Sequence, residues 1–258
     1  RGHDRHPGEG SSLAATPPVG ATEAICQNGV MTTHAPRAWC RVPGALLSVL
    51  AFASIASAQG GSITGTITTP AKGTPPVRVT IDQKICGNDV PDEAIVVDAQ
   101  GHLANAVVIL TGVKRPVTTD PVVVNEKCRF APRVQLARPN ASIKTTSKDP
   151  MLHTTQAQTP NGATLFNVAL PMAGITLAKP IGAVGPVRLN CNIHNWMRGW
   201  LVVTDEAAAI TGADGRFTIP NVPPGTYELR VWHESLKGAP QKVTVTAGKA
   251  ADLTLTLK

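Results

Sequence analysis

The sequence predicts an all-β fold built on sandwiches, and three of its features carry that expectation. Short runs alternate polar and apolar residues at the two-residue period of a half-buried strand, as in Ser62-Ile-Thr-Gly-Thr-Ile-Thr68. Turn residues interrupt these runs about every ten positions, the rhythm of a β-sandwich. The 23 glycines and 22 prolines are spread without a period, and no long stretch repeats apolar residues at helical spacing.

The elements follow in order. After Ser62–Thr68, Val77–Ile81 alternates in the same way. Ala94–Asp98 and Asn105–Leu110 read as two strands around a turn at Gly101-His102. Val122–Val124 reads as a short strand. Arg133–Leu136 and Ser142–Thr145 flank the turn Pro139-Asn140. Thr164–Val168, Val187–Asn190 and Trp200–Val203 come next. The last strands are Arg216–Ile219, Tyr227–Trp232, Lys242–Thr246 and Asp252–Leu257, with turns at Ala213-Asp214-Gly215 and Pro223-Pro224-Gly225. Aromatics are 3% of the chain, so the cores must rest on Val, Ile, Leu and Ala.

The N-terminal part predicts export. In 31–58, Arg37 and Arg41 precede a short apolar run, Gly44–Ile55, and Ala56-Ser57-Ala58 is a small-x-small cleavage pattern, so the segment reads as a signal peptide. The run is short for a membrane span, so no stable membrane insertion is expected after cleavage. Residues 1–30 are polar, lack periodicity and precede Met31; they read as untranslated upstream sequence and are expected to be disordered. Cleavage would leave a mature chain starting at Gln59. The expected localisation is periplasmic or secreted, and such compartments permit disulfides. The net charge of +7 comes from scattered Lys and Arg, with no dense block and no interleaved aromatics. That pattern suits a solvated basic surface and argues against a nucleic-acid partner.

Past the cleavage site the cysteines are Cys86, Cys128 and Cys191. An odd number asks for one thiol with separate work. The simplest division is a Cys86–Cys128 disulfide and a free Cys191.

The segment richest in chemistry is Cys191-Asn-Ile-His194-Asn-Trp-Met197, a loop between two expected strands. Thiolate, imidazole and thioether are soft or borderline donors, and copper favours two His and one Cys with a distant Met. A second imidazole must come from elsewhere. His153 follows the turn-like Asp149-Pro150; His102 lies far upstream in a turn, and His233 lies beyond the strand after the loop. Zinc also takes His and Cys, but thioether is a poor fourth ligand for it. Without a metal, Met197 would be an ordinary core residue. Trp196 and Trp200 flank the loop, either as packing over the site or as an electron path to a docked partner. His233 reads as structural or surface-bound rather than as a further ligand. Asn140-Ala-Ser142 matches a glycosylation pattern of low specificity.

The Cys-x2-His-x2-Met spacing resembles the ligand loop of amicyanin, one of the cupredoxins or blue copper proteins. Asp149-Pro-Met-Leu-His153, Leu165-Phe-Asn-Val168 and Cys191–Met197 look like exported proteins labelled as methylamine utilisation proteins. The likeness spans about 126–204. It implies a cupredoxin-like Greek-key sandwich holding one type 1 copper ion by His153, Cys191, His194 and Met197. It also implies electron transfer with a cytochrome or a periplasmic dehydrogenase or oxidase, with no catalytic residues. On that likeness the outer edge of His194 is the expected electron exit. Many cupredoxins carry Asn directly after the first histidine; here the residue is Thr154.

The run Thr211-Gly-Ala-Asp-Gly-Arg-Phe217 to Pro223-Pro-Gly-Thr-Tyr227 resembles the carboxypeptidase regulatory-like β-sandwich. That likeness makes 205–258 a second small sandwich. Its opening strands are missing just upstream, so Ser62–Thr68 and Ala104–Leu110, within a segment 60–125, are expected to supply them. The copper domain would then be inserted into a loop of the second sandwich.

Two other functions remain open at this point. A copper carrier or storage protein would use the same ligands, and exposed Met or His clusters would favour it. A non-redox carbohydrate- or protein-binding sandwich would need a row of exposed aromatics. A multicopper enzyme is disfavoured because the sequence has no His-x-His pair.

Overall fold

Alternation is strictest in β1 (Gly61–Thr68), whose residues face inward at every second position, so Ile63 and Ile67 are fully buried. In the computed structural model, which describes residues 59–258, this strand sits between β15 (Arg216–Val222), antiparallel to it, and β18 (Ala250–Thr256), parallel to it. A facing sheet runs in the order β14 (Glu206–Ile210), β4 (Val107–Lys114), β16 (Gly225–Trp232), β17 (Gln241–Val245). Ile63, Ile67, Leu110, Phe217, Ile219 and Leu229 fill the space between these sheets. N-terminal β1 and β4 are thus paired with C-terminal strands, and the chain leaves this sandwich after β4 and returns at β14.

The intervening chain builds another sandwich. One sheet has the order β10 (Thr164–Leu170), β9 (His153–Gln158), β12 (Gly185–Asn190), β13 (Arg198–Val203), β7 (Val134–Ala137). The other has the order β11 (Thr176–Pro180), β8 (Ser142–Ser147), β5 (Val122–Glu126), β6 (Arg129–Ala131). Its core includes Val123, Phe130, Ile143, Leu189 and Leu201. The architecture is therefore all-β, in two sandwiches; α1 (Gln83–Cys86) is the single short α-helix among the described residues. None of their helices is long and apolar enough to cross a membrane. The expected signal segment 31–58 and the stretch 1–30 lie outside the described residues.

Several elements differ from expectation. The segment 60–125 is divided between the sandwiches. β5 pairs with β6 and β8, while the short hairpin β2 (Val77–Arg78) and β3 (Asp89–Val90) contributes Val79, Cys86 and Val90 to the core of the intervening sandwich. Val77–Ile81 is a strand for only two residues, because the chain then turns over into α1. Ala94–Asp98 makes one isolated bridge, Val97 to Leu103, in place of a strand. The hairpin and α1 together form a cap, and Cys86 is disulfide-bonded to Cys128 in the β5–β6 turn. Cys191 is free and buried.

The sandwiches meet at a small apolar cluster of Val107, Val134 and Val202, flanked by Trp200 and Trp232 with ring centroids 5.3 Å apart. Beside it, Arg133 and Glu234 form a buried two-pronged ion pair.

Candidate metal centre

Two pieces of backbone bring the expected ligands together. His153 opens β9, and its register opposite Leu170 of β10 and the pairing of β9 with β12 aim it at the end of the sheet. The other ligands stand on the hairpin loop between β12 and β13, where Asn190 pairs with Arg198. That loop is closed by its own backbone: the Cys191 amide donates to the Met197 carbonyl at 3.3 Å, and the Met197 amide to the His194 carbonyl at 2.9 Å. A loop tied in this way presents its side chains in a fixed arrangement.

Nδ1 of His194 lies 3.1 Å from Nδ1 of His153 and 3.7 Å from Sγ of Cys191. Both histidines are 0% exposed, Cys191 is 4% and Met197 is 2% exposed, and Met197 belongs to the same buried cluster as Cys191. These separations suit a single ion. With imidazole and thiolate bonds of about 2.0 and 2.3 Å, ligand angles of roughly 100–120° separate nitrogens by roughly 3.1–3.5 Å, and nitrogen from sulfur by roughly 3.3–3.7 Å.

The far side of each imidazole is held by a carboxylate. Nε2 of His153 donates to Oδ2 of Asp149 at 2.9 Å, and Nε2 of His194 to Oδ2 of Asp82 at 3.1 Å. An imidazole that gives its Nε2 proton to a carboxylate keeps its lone pair on Nδ1, and this is how metal-binding histidines are oriented. The two Nδ1 atoms and the Cys191 sulfur then face one another in a space closed to water, where a proton shared among them or a cation offsets the repulsion of their lone pairs. The donor chemistry and the spacing both fit copper.

Cys191 is equally prepared. Burial pushes its thiol up, but hydrogen bonding with the His153 side chain and with the backbone at Thr154, His194 and Ile193 outweighs this and brings it down to about 6. The thiolate, which is the metal-binding form, therefore dominates at neutral pH. Thr154 ties the two backbone pieces together. Its amide donates to Cys191 Sγ at 3.4 Å, and its hydroxyl accepts the Asn192 amide at 2.7 Å while donating to the same sulfur at 3.7 Å. A threonine hydroxyl here links the histidine strand to the cysteine loop.

Residues 201–258 match the carboxypeptidase regulatory-like domain. No curated protein matches the chain. Similar solved structures include a novel purple cupredoxin from Nitrosopumilus maritimus, 21% identical over 33% of this chain and 100% of that one, with a TM-score of 0.29. The reduced state of an amicyanin mutant is 16% identical over 39% of this chain and 100% of that one, with a TM-score of 0.30. A copper-containing nitrite reductase from Thermus scotoductus SA-01 is 17% identical over 36% of this chain and 24% of that one, with a TM-score of 0.29. The donor geometry stands independently of these likenesses.

The remaining sequence candidates fall elsewhere. Trp196 packs beside His194, ring centroids 5.2 Å apart, and donates its indole N–H to the Cys128 carbonyl. Trp200 instead packs at the junction of the sandwiches. His102 pairs with Asp98 at 2.7 Å, and His233 is buried with Nδ1 accepting the amides of Ser235 and Leu236. The expected electron exit at the edge of His194 is not available: the ring is fully buried, and Asp82 of the cap occupies its outer nitrogen. Asp149 and Asp82 are the site residues that sequence reasoning missed. Asp149 precedes His153 by four residues, a spacing that signals pairing only once the turn between them is known. Asp82 lies 112 residues from its partner, and nothing local marks it.

Proposed function

We propose that this chain is a type 1 copper protein that carries single electrons between exported redox proteins. The observation that supports this most is the convergence of His153 Nδ1, His194 Nδ1 and Cys191 Sγ, from two separate backbone pieces, in a space closed to water. Two imidazoles and a thiolate are donors that copper favours; His153, His194 and Cys191 would hold it, with the buried thioether of Met197 as a further weak donor from the same loop. Copper held there supplies a one-electron couple. The chain's own contribution is constraint: β9 and the closed Cys191–Met197 loop hold the donors, the carboxylates of Asp149 and Asp82 hold the rings, and burial excludes water as a competing ligand. The donors are buried away from solvent, an environment suited to electron carriage. A cytochrome or a periplasmic dehydrogenase or oxidase is the expected kind of partner, and the carboxypeptidase regulatory-like sandwich is read as a support or docking module.

Loading the full chain with Cu(II) tests this. The expected result is an intense visible thiolate-to-copper band, absent in Cys191→Ala. A colourless Cu(II) complex would reject the reading, and transfer of the metal to a partner faster than transfer of an electron would replace it with a copper carrier.

A further inference from the structure

The ligand loop and β9 do not close the metal centre by themselves. Its outer side is formed by the cap, whose residue Asp82 adopts a left-handed backbone conformation, φ 57°. That conformation is costly for a residue with a side chain and persists where the surroundings demand it. Asp82 also stands at the N-cap of α1, where an aspartate ordinarily accepts an amide of the first turn, yet its side chain makes no such bond. Its carboxylate is directed to His194 instead.

The rest of the cap is built to keep it there. The Asp82 carbonyl accepts the amides of Ile85 and Cys86, Gln83 Nε2 donates to the Val79 carbonyl at 2.7 Å, and the Val79 amide donates to the Asn88 carbonyl at 2.9 Å. Val79, Cys86 and Val90 are anchored in the core below. The disulfide fixes Cys86 to Cys128, whose own amide donates to Asp149, the carboxylate that holds His153. One covalent link thus connects both carboxylate–histidine pairs.

We infer that Asp82 is a positioning residue for His194, held in place by the Cys86–Cys128 link, and that it biases the centre toward the more highly charged Cu(II). The redox half of this inference rests on the copper reading; the positioning half does not. The carboxylate fixes the Nδ1 lone pair and strengthens the imidazole as a donor. Its charge also favours the higher oxidation state, though Asp82 is 44% exposed and that part of the effect is screened by water. Partners of this kind typically change metal affinity by about 10–100-fold.

The test compares the full chain with Asp82→Ala, Asp82→Asn, Cys86→Ser/Cys128→Ser, and Asp82→Ala in that double-serine background. In the metal-free protein, ring-nitrogen NMR reads the tautomer of His194. The Nε2–H form should dominate in the natural chain and give way to a mixture in Asp82→Ala. In the copper-loaded protein, Asp82→Ala should lose about tenfold in Cu(II) affinity relative to Cu(I), which raises the potential by about 59 mV for a one-electron couple. Asp82→Asn, which keeps an acceptor but no charge, should fall between. With the disulfide removed, Asp82→Ala should add little further, the non-additivity expected of residues acting as one unit. An unchanged His194 tautomer in Asp82→Ala overturns the positioning role. A changed tautomer with an unchanged potential overturns the redox bias. A changed tautomer in a chain that takes no copper supports Asp82 and rejects the copper reading.

Discussion

Asp149 is bonded to His153 at 2.9 Å, and its two oxygens also accept the amides of Lys127 and Cys128 at 2.8 and 2.9 Å. One buried carboxylate therefore orients the His153 imidazole and holds a turn in which both residues have positive φ. Asp149→Ala should leave three donors without an acceptor. Two of the three, the His153 ring and the Cys128 amide, are buried, so the expected cost is about 2–6 kcal/mol of stability, read by urea unfolding, at about 1–3 kcal/mol for each unsatisfied buried group. Copper affinity should fall by about 10–100-fold in a competition titration. Wild-type values for both quantities would show that Asp149 holds neither the turn nor the ring.

Thr154 permits a finer test because its two groups can be separated. Thr154→Val keeps the amide bond to Cys191 Sγ but removes the hydroxyl that accepts the Asn192 amide. Thr154→Ser keeps both. The valine variant should lose about 1–2 kcal/mol and show faster amide exchange at Asn192, while the serine variant stays close to wild type. Equal exchange in the two variants would mean that the hydroxyl does not tie the loop to β9.

The metal-free thiol gives a pH-dependent signature. Because Cys191 is brought down to about 6 in the fold, from an ordinary value of 9.0, the native state holds fewer protons than the unfolded chain between those values. This group's contribution to stability is present above the unfolded value and is lost as pH falls toward about 6. Thiolate absorbance of the apoprotein should titrate with a midpoint near 6, and stability should rise with pH over that window. Cys191→Ser should abolish both trends, and a thiol midpoint in the ordinary range would contradict the hydrogen bonding described around the sulfur.

The ligand loop was legible in the sequence because Cys191, His194 and Met197 lie within one turn-bounded segment, and soft donors at that spacing have few other uses. The strand carrying His153 was not. In β9 the inward positions are His153, Thr155 and Ala157, and the buried Thr155 is satisfied by the Thr145 hydroxyl at 2.8 Å. A strand with two of its three inward positions polar shows no hydrophobic alternation. Strands β1 and β16 read clearly because their apolar and polar residues alternate. The cap was hidden for another reason: its purpose lies in contacts to residues 42 and 112 positions away, and periodicity reports only local geometry. Elimination among three cysteines pointed to Cys86 and Cys128, but not to a bond that carries an aspartate onto His194.

The junction of the sandwiches supports a last prediction. Arg133 precedes β7 and Glu234 follows β16; they share two bonds, at 2.9 and 2.8 Å, and a third guanidinium nitrogen donates to the Arg198 carbonyl. The side chains are 6% and 7% exposed, so neither charge has water as an alternative partner. Glu234→Ala should cost about 3–5 kcal/mol by leaving a buried guanidinium unpaired, whereas replacing both residues by apolar ones of similar size should cost far less. His233 adds a pH dependence at the same place. Burial lowers its pKa, the neighbouring Glu234 acts to raise it and Arg133 to lower it further. A histidine lowered in the fold contributes stability that is complete above its unfolded value, near 6.5, and is lost as pH falls through the folded value. Urea unfolding across that acidic window should show the loss in the natural chain and its absence in His233→Asn. In Glu234→Ala, where the influence raising the histidine is gone, the same loss should extend to lower pH, and a window that stays in place would mean the carboxylate does not act on the ring.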